Sequence, residues 1–522
     1  MKFWTTLGVL LLAVGALALR LPQRDERPMH TDEAVHAVKF LGLWERGVYR
    51  YDPDEYHGPS LYYATLPLAW LSGAHRAAEL SEKTLRLTPV LFGVGLVLLV
   101  LLARDGLGGV AVLGAALLTA VSPAMVFYSR YFIHETLLVF FSLLFLAALW
   151  RYHQSPGWGW AILAGGALGG LHATKETFVF VVVASAAGWG IARLWGRLRE
   201  GVWPAVLLRR DHLLVLLGAA LLVSTTLFTS FFTNGEGPID AWRTYLPWLE
   251  RAEGQSPHVQ SWSYYFGLLL CTRRGQGPLW TEAFVLALAL VGLVSAFLRP
   301  KGDAAVRDPF LGRWLGGYTV FLTAVYVAIP YKTPWCLLGF LHGWILLAGI
   351  GVAEVVRWGR HWTWRGTVAA LVLLGATHLG LQAYRASYPY ADSQRNPYVY
   401  AHTLRNTLDL VDIVDELVHS GPEGLNTVVQ VMARGGDYWH LPWYLRHCHR
   451  VGWYAEVPPD AAAPVLIASP EFAPALEAKL GQTHEALGYY GLRPGVFLQL
   501  HAERHLWEAF LKAREQSNRA SP

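Results

Sequence analysis

The chain has 522 residues, of which 53% are hydrophobic and only 16% charged, and its mean hydropathy is +0.30. Ordinary globular domains are about 25% charged, so a wholly soluble enzyme, a disordered chain and a collagen-like fibre are disfavoured. The net charge of +5 sits largely in short loops, which speaks of membrane orientation rather than of nucleic acid. Three cysteines, Cys271, Cys336 and Cys448, lack metal-site spacing and can form at most one pair.

Hydrophobic stretches of spanning length run along most of the chain. They fall near 3–21, 84–103, 107–127, 131–150, 159–173, 177–195, 212–232, 279–298, 314–331, 335–356 and 366–384, which gives about eleven spans at roughly 17–25 residues each. Leu61–Leu71 is apolar but too short to cross; it reads as re-entrant or interfacial. Arginines and lysines mark one set of loops: Arg193, Arg197, Arg199, Arg209 and Arg210; then Arg299, Lys301, Arg307 and Arg313; then Arg357, Arg360 and Arg365. By the positive-inside rule these loops face the cytoplasm. The N-terminus is then inside and the tail after the last span outside. A cleaved signal peptide ending at Ala16-Leu17-Ala18 is the lesser alternative.

Three outer segments are large: 22–83, 233–278 and the tail from 390. The second carries Trp242, Trp248, Trp262, Tyr264 and Tyr265, which suits a loop resting on the membrane surface. In the tail, Leu404–His419 reads as an amphipathic helix, Thr427–Met432 as a buried strand, Trp439–Arg446 as a helix and Val465–Ala468 as another strand. The pattern predicts a polytopic helical membrane domain over 1–389 and an extracytoplasmic α/β domain over 390–522. Arg514–Pro522 reads as a frayed end.

Ionisable residues are costly in the hydrocarbon, by about 2.5–3.5 kcal/mol on insertion scales. Here those near the membrane gather on the outer face. Arg130, His134 and Glu135 open one span; His172, Lys175 and Glu176 join two others; Lys332 sits in Tyr331-Lys332-Thr333-Pro334-Trp335. Taken singly, such residues at span ends are as readily explained by snorkelling. The first outer loop begins His30-Thr31-Asp32-Glu33-Ala34-Val35-His36. Thr31 is positioned to cap a helix ending near Arg46, with Asp32 and Glu33 in its first turn, where the helix dipole favours their ionised forms. Acids at a helix start are often there for stability alone. His36 follows one turn on, a geometry that suits a general base with an orienting histidine or part of a divalent-metal site. The turn-rich Tyr51-Asp52-Pro53-Asp54-Glu55-Tyr56-His57-Gly58-Pro59 reads as a structured loop over such a site.

These residues resemble a known group. His30-Thr31-Asp32-Glu33-Ala34, Tyr56-His57-Gly58-Pro59, Ser129-Arg130-Tyr131-Phe132-Ile133-His134-Glu135, Thr174-Lys175-Glu176-Thr177, Tyr331-Lys332-Thr333-Pro334-Trp335 and Trp443-Tyr444-Leu445-Arg446 form an ordered series. It is similar to that of the polyprenyl-phosphate-dependent membrane glycosyltransferases of the C-type fold (GT-C), which include protein O-mannosyltransferases and aminoarabinose transferases. The nearest likeness is to the prokaryotic family named "flippase activity-associated protein". The resemblance implies inverting transfer of a hexosyl or pentosyl group from a polyprenyl-phosphate donor, at the extracytoplasmic face of the cell membrane, to a protein, lipid or glycan acceptor. It implies that Asp32, then Glu33, is the base, with His36, His57, Arg130, Glu135, Lys175, Glu176 and Lys332 binding substrate. Among these, Lys175, Arg130 and Lys332 are the candidates for the leaving phosphate. A divalent metal stays open, with Asp32, Glu135, His30 and His134 as candidate ligands; no other cofactor is implied. These side chains should line one outer cavity.

Three other classes compete. A flippase or transporter of lipid-linked saccharide needs polar groups through the bilayer depth, and 84–103, 107–127 and 279–298 have almost none. A metalloprotease rests only on His30, Asp32, Glu33 and His36, which do not form the His-Glu-x-x-His signature. An anchored scaffold would use Gly435-Gly436-Asp437 at a helix start to hold an anion, but about eleven spans are far more than an anchor needs. No phosphate-binding Gly-x-x-x-x-Gly-Lys-Ser/Thr sequence occurs, which disfavours an ATP-driven pump.

Overall fold

Helices lie over all eleven predicted segments in a computed structural model that describes residues 2–54, 57–201, 209–247, 258–298 and 307–520. Glu55, Tyr56, Trp248, Arg299 and Lys301 lie outside the described residues. Among the described residues, seven helices are long and apolar enough to cross a bilayer: Lys2–Arg20, Glu82–Leu107, Glu135–Gln154, Phe178–Glu200, Arg210–Phe228, Pro334–Arg357 and Trp362–Ser387. Gly109–Val121 and Ala283–Leu298 are apolar but shorter. Length and composition therefore support a multi-pass membrane protein without reaching the count of eleven. Leu61–Leu71 is helical from Ser60 to Leu71, about 18 Å at 1.5 Å per residue.

The chain divides into two compact units. The first comprises Met1–Arg24, Arg46–Leu71 and Lys83–Tyr400. Small residues let its helices approach closely, as expected where lipid gives no hydrophobic drive for association. A Cβ on Gly292 would fall 1.9 Å from the Leu347 carbonyl oxygen, and one on Gly351 equally close to that of Leu288, so Ala283–Leu298 packs backbone-to-backbone on Leu338–Arg357. Polar ties hold helix ends together at one side. Lys2 pairs with Asp105 at 3.7 Å, Arg151 with Asp105 at 2.8 Å and Arg313 with Glu200 at 2.6 Å. The Trp150 indole also donates to Asp308 at 3.1 Å. The loop residues 57–59 and 173–176 come together near the other end of Glu135–Gln154.

The second unit comprises Asp25–Glu45, Ser72–Glu82 and Ala401–Pro522. Its five-stranded sheet runs β1 (Val429–Met432), β2 (Val451–Tyr454), β3 (Val465–Ala468), β4 (His484–Arg493) and β5 (Val496–Glu503), in the order β2-β1-β3-β5-β4. β1 is parallel to β2 and β3, while β5 is antiparallel to β3 and β4. Gly495, at φ +82°, turns the β4–β5 hairpin. The helix Asn406–Ser420 buries Leu410, Val414, Leu417 and Val418, each contributing about 1.5–3 kcal/mol. From Arg514 to Ala520 the segment read as a frayed end continues the helix Arg504–Ala520, which buries Leu506 and Phe510; Ser521 and Pro522 lie outside the described residues. The predicted helix over 439–446 shrinks to Leu441–Tyr444. The unit also takes in 25–45 and 72–82 of the first outer loop, which the sequence reading assigned to the membrane domain.

Candidate active site

In the first unit, three of the motif pieces meet. Gly58 N donates to Thr174 O at 3.1 Å and Ser60 N to Ala173 O at 2.9 Å. A Cβ on Gly58 would fall 2.3 Å from the Ala173 carbonyl oxygen, so only glycine permits this approach. His134 Nε2 lies 2.8 Å from Gly58 O; a carbonyl only accepts, so that nitrogen carries the proton. His57 Nδ1 lies 2.9 Å from Glu176 Oε2. Tyr51 donates to Glu176 Oε1 at 3.4 Å and Tyr245 to the Glu176 carbonyl at 3.3 Å. Beside them Lys175 is ion-paired with Glu135, and both are buried.

Burial opposes the charge on Lys175, but Glu135 more than offsets this and holds its pKa above the ordinary lysine value. The pairing therefore favours the charged form of Lys175. Burial likewise pushes the Glu176 carboxyl up, but His57 and, more weakly, Lys175 bring it below its ordinary 4.5. A carboxyl with a depressed folded-state pKa contributes stability above its unfolded value and loses it as pH falls through the folded one. Thermal stability in nanodiscs should therefore decline as pH drops below about 4.5, and Glu176→Gln should flatten that slope. An unchanged slope in the variant would show that Glu176 contributes nothing to it.

Other predicted residues of this unit are placed differently. Arg130 does not join the cluster. It donates to the carbonyls of Arg20 and Pro22 at 2.7 Å and of Gln23 at 3.0 Å, and stacks on Tyr388 at 4.5 Å. It thereby satisfies the carbonyls left open at the end of the first helix. Lys332, also buried, donates to the carbonyls of Ile329 and Gln260. His172 Nδ1 is 2.6 Å from Ser224 Oγ.

In the second unit the acidic pair is resolved into two roles. The helix Thr31–Arg46 is capped by His30 rather than Thr31: Asp32 N donates to His30 Nδ1 at 3.1 Å. Glu33, three residues after the cap, accepts from His30 N at 3.0 Å. That is the reciprocal arrangement of a capping box with histidine in the capping position. Glu33 is fully buried and ion-paired with Arg27 at 2.7 Å. Its carboxylate is committed to the helix start. Asp32 has a side chain 44% exposed and can meet a substrate. His36 is buried one turn on.

The Trp443-Tyr444-Leu445-Arg446 motif belongs to the same unit and fixes this helix start. Tyr444 OH accepts from Met29 N at 2.8 Å, and Thr403 donates to Met29 O at 2.5 Å. Arg446 stacks on Trp443 at 3.8 Å and donates to Leu80 O at 2.6 Å, while the Trp443 indole donates to Glu82 at 2.7 Å. The sequence reading missed Tyr51, Tyr245 and Arg27. Tyr51 stood in the turn-rich segment it did single out. Among the described residues no group of three or more His, Cys, Asp or Glu side chains is gathered to hold a metal ion, which leaves the candidate ligands His30, Asp32, His134 and Glu135 without such a group.

Comparison with known proteins decides the fold. The sequence pattern of the family described as dolichyl-phosphate-mannose-protein mannosyltransferase matches residues 62–235. No curated protein matches the chain. The crystal structure of ArnT from Cupriavidus metallidurans bound to undecaprenyl phosphate superposes with a TM-score of 0.67 at 16% identity, over 94% of this chain and 97% of that one. The archaeal oligosaccharyltransferase AglB from Archaeoglobus fulgidus, in complex with an inhibitory peptide and a dolichol-phosphate, gives 0.56 at 13% identity over 90% and 70%. The Archaeoglobus fulgidus oligosaccharyltransferase tethered with an acceptor peptide gives 0.57 at 13% over 94% and 74%. The chain has the GT-C fold. The family match covers residues 62–235, and over the rest of the chain the likeness is one of fold. The GT-C likeness does not reach the finer family named for flippase activity.

Proposed function

We propose that this GT-C protein transfers a sugar from a polyprenyl-phosphate donor to an acceptor hydroxyl at the extracytoplasmic face of the cell membrane, with inversion. The observation that carries this reading is the buried Lys175, ion-paired with Glu135, on a scaffold that matches, nearly end to end, a structure binding undecaprenyl phosphate. In the proposed reaction the acceptor oxygen attacks the anomeric carbon opposite the phosphate. The C–O bond to the acceptor forms, the C–O bond to phosphate breaks, and the acceptor proton passes to Asp32. Polyprenyl phosphate leaves with its charge opposed by Lys175. Fixed cations where negative charge develops often form the largest catalytic contribution. A placed carboxylate base adds roughly 10²–10⁴-fold. Glu33, His36 and Arg130 take structural roles in this reading, and Glu135, Glu176 and His57 hold Lys175 and its loop.

Incubating purified protein with radiolabelled polyprenyl-phosphate sugars and a membrane extract tests the class. Label should move to an acceptor; no transfer with any common sugar would refute the reading. The proposed orientation places the N-terminus in the cytoplasm and the second unit outside. Arg193, Arg197 and Arg199 towards the end of Phe178–Glu200, with Arg209 and Arg210 at the start of Arg210–Phe228, support it. Cysteines introduced after Tyr384 should label from outside intact cells, and those within 193–211 only after permeabilisation. Labelling in the reverse pattern would put the sugar chemistry on the wrong side.

A further inference from the structure

The first unit contains a cavity of about 800 Å³ that the proposed chemistry does not use. Arg46 and Arg50 line one wall and Thr233, Asn234, Glu236 and Asp240 the other. Among the described residues, Arg46, Arg50 and Glu236 have no ion-pair or hydrogen-bonding side-chain partner, although opposite charges share the cavity. Asp240 is held by Arg243 at 3.1 Å. Two guanidinium groups left open in one cavity suit an anion, because each presents a planar fork that matches carboxylate or phosphate. An amide and a carboxylate opposite suit hydroxyl groups.

The far wall is built under strain. Ser230, Phe231 and Phe232 are all left-handed, at φ +50°, +55° and +69°, and none is glycine. Each such residue is strained and persists only where its surroundings fix it. Here Tyr49 N and the Tyr63 hydroxyl both donate to Ser230 Oγ, at 2.9 and 2.7 Å, and Phe232 N donates to Thr229 Oγ1 at 2.9 Å. The turn exposes Phe231 and Phe232 and leads directly into Thr233–Glu236 of the wall. Tyr51 completes the cavity, and its hydroxyl reaches Glu176 of the Lys175 cluster. A ligand in the cavity is therefore one tyrosine away from the proposed phosphate cation.

We propose that this cavity binds an acidic saccharide, with its carboxylate or phosphate on Arg46 and Arg50 and its hydroxyls on Asn234 and Glu236, as the acceptor of the reaction. The inference rests on the glycosyltransferase reading for the word acceptor, and on the cavity alone for the binding. The anion could instead be the donor's own phosphate. Binding is measured by calorimetry on the full chain in nanodiscs with three probes: a glucuronate-containing disaccharide, its neutral glucose counterpart, and undecaprenyl phosphate. The acidic disaccharide should bind about tenfold or more tighter than the neutral one, and Arg46→Gln/Arg50→Gln should erase that preference. Undecaprenyl phosphate should bind wild type and double variant alike. Equal affinity for the two disaccharides, or a preference that survives in the double variant, overturns the site. Loss of undecaprenyl phosphate binding in the double variant assigns the cavity to the donor and overturns the acceptor role. If wild type binds the acidic disaccharide through both arginines but never binds undecaprenyl phosphate, the site stands and the donor reading fails.

Discussion

Lys175→Ala is expected to lose transfer and also to unfold more readily. The lysine is paired with Glu135 inside the protein, and removing one partner leaves the other charge buried alone, a loss of about 3–5 kcal/mol. The single variant therefore confounds chemistry with folding. Glu135→Gln/Lys175→Met removes both charges and keeps much of the volume, so most of the stability should return. Transfer should not return, because no cation opposes the charge that builds on the leaving phosphate. The expected loss is about 2.7–4 kcal/mol of barrier, or roughly a hundredfold to a thousandfold in rate. Thermal unfolding in nanodiscs, together with single-turnover transfer, separates the two effects. A double variant that is stable and transfers at near wild-type rate would make the pair an element of packing only.

The membrane architecture was legible because hydrocarbon imposes one simple demand, a long apolar helix, which composition reveals directly. The convergence of His57, Glu135, Lys175 and Glu176 was legible in part, since their charges crowd near helix ends that cluster on one face. The fates of Arg130 and Lys332 were not. Both bind backbone carbonyls, and a carbonyl left open at a helix end has no signature in the side-chain sequence. The second unit was half visible. β1 and β3, buried on both faces, read as apolar runs, whereas β4, His484–Arg493, carries Glu485, Gly488 and Gly491 and a bulge that breaks its alternation. Nor could spacing show that Trp443-Tyr444-Leu445-Arg446 holds a helix some 400 residues earlier. That link is long-range in sequence and rests on one phenol and one backbone amide.

Asp32→Asn should reduce transfer by roughly 10²–10⁴-fold while leaving donor affinity near wild type. The amide is nearly isosteric but cannot take the acceptor proton. The half-exposed Asp32 side chain is not part of the helix cap, whose members are His30 and Glu33, so the variant should fold normally. Glu33→Gln should behave in the opposite way. It leaves Arg27 without its carboxylate inside the protein and weakens the cap, so stability should fall by several kcal/mol, of the order measured for a broken buried pair. Its residual folded fraction should still transfer. Tyr444→Phe lies between the two: it removes the acceptor for Met29 N and loosens the approach of Asp32 without touching its proton chemistry. The turnover number should fall, but by less than in Asp32→Asn. If Asp32→Asn transfers normally and folded Glu33→Gln is dead, the base is Glu33. If both transfer normally, the helix Thr31–Arg46 carries no catalytic group and the base must be sought on another segment.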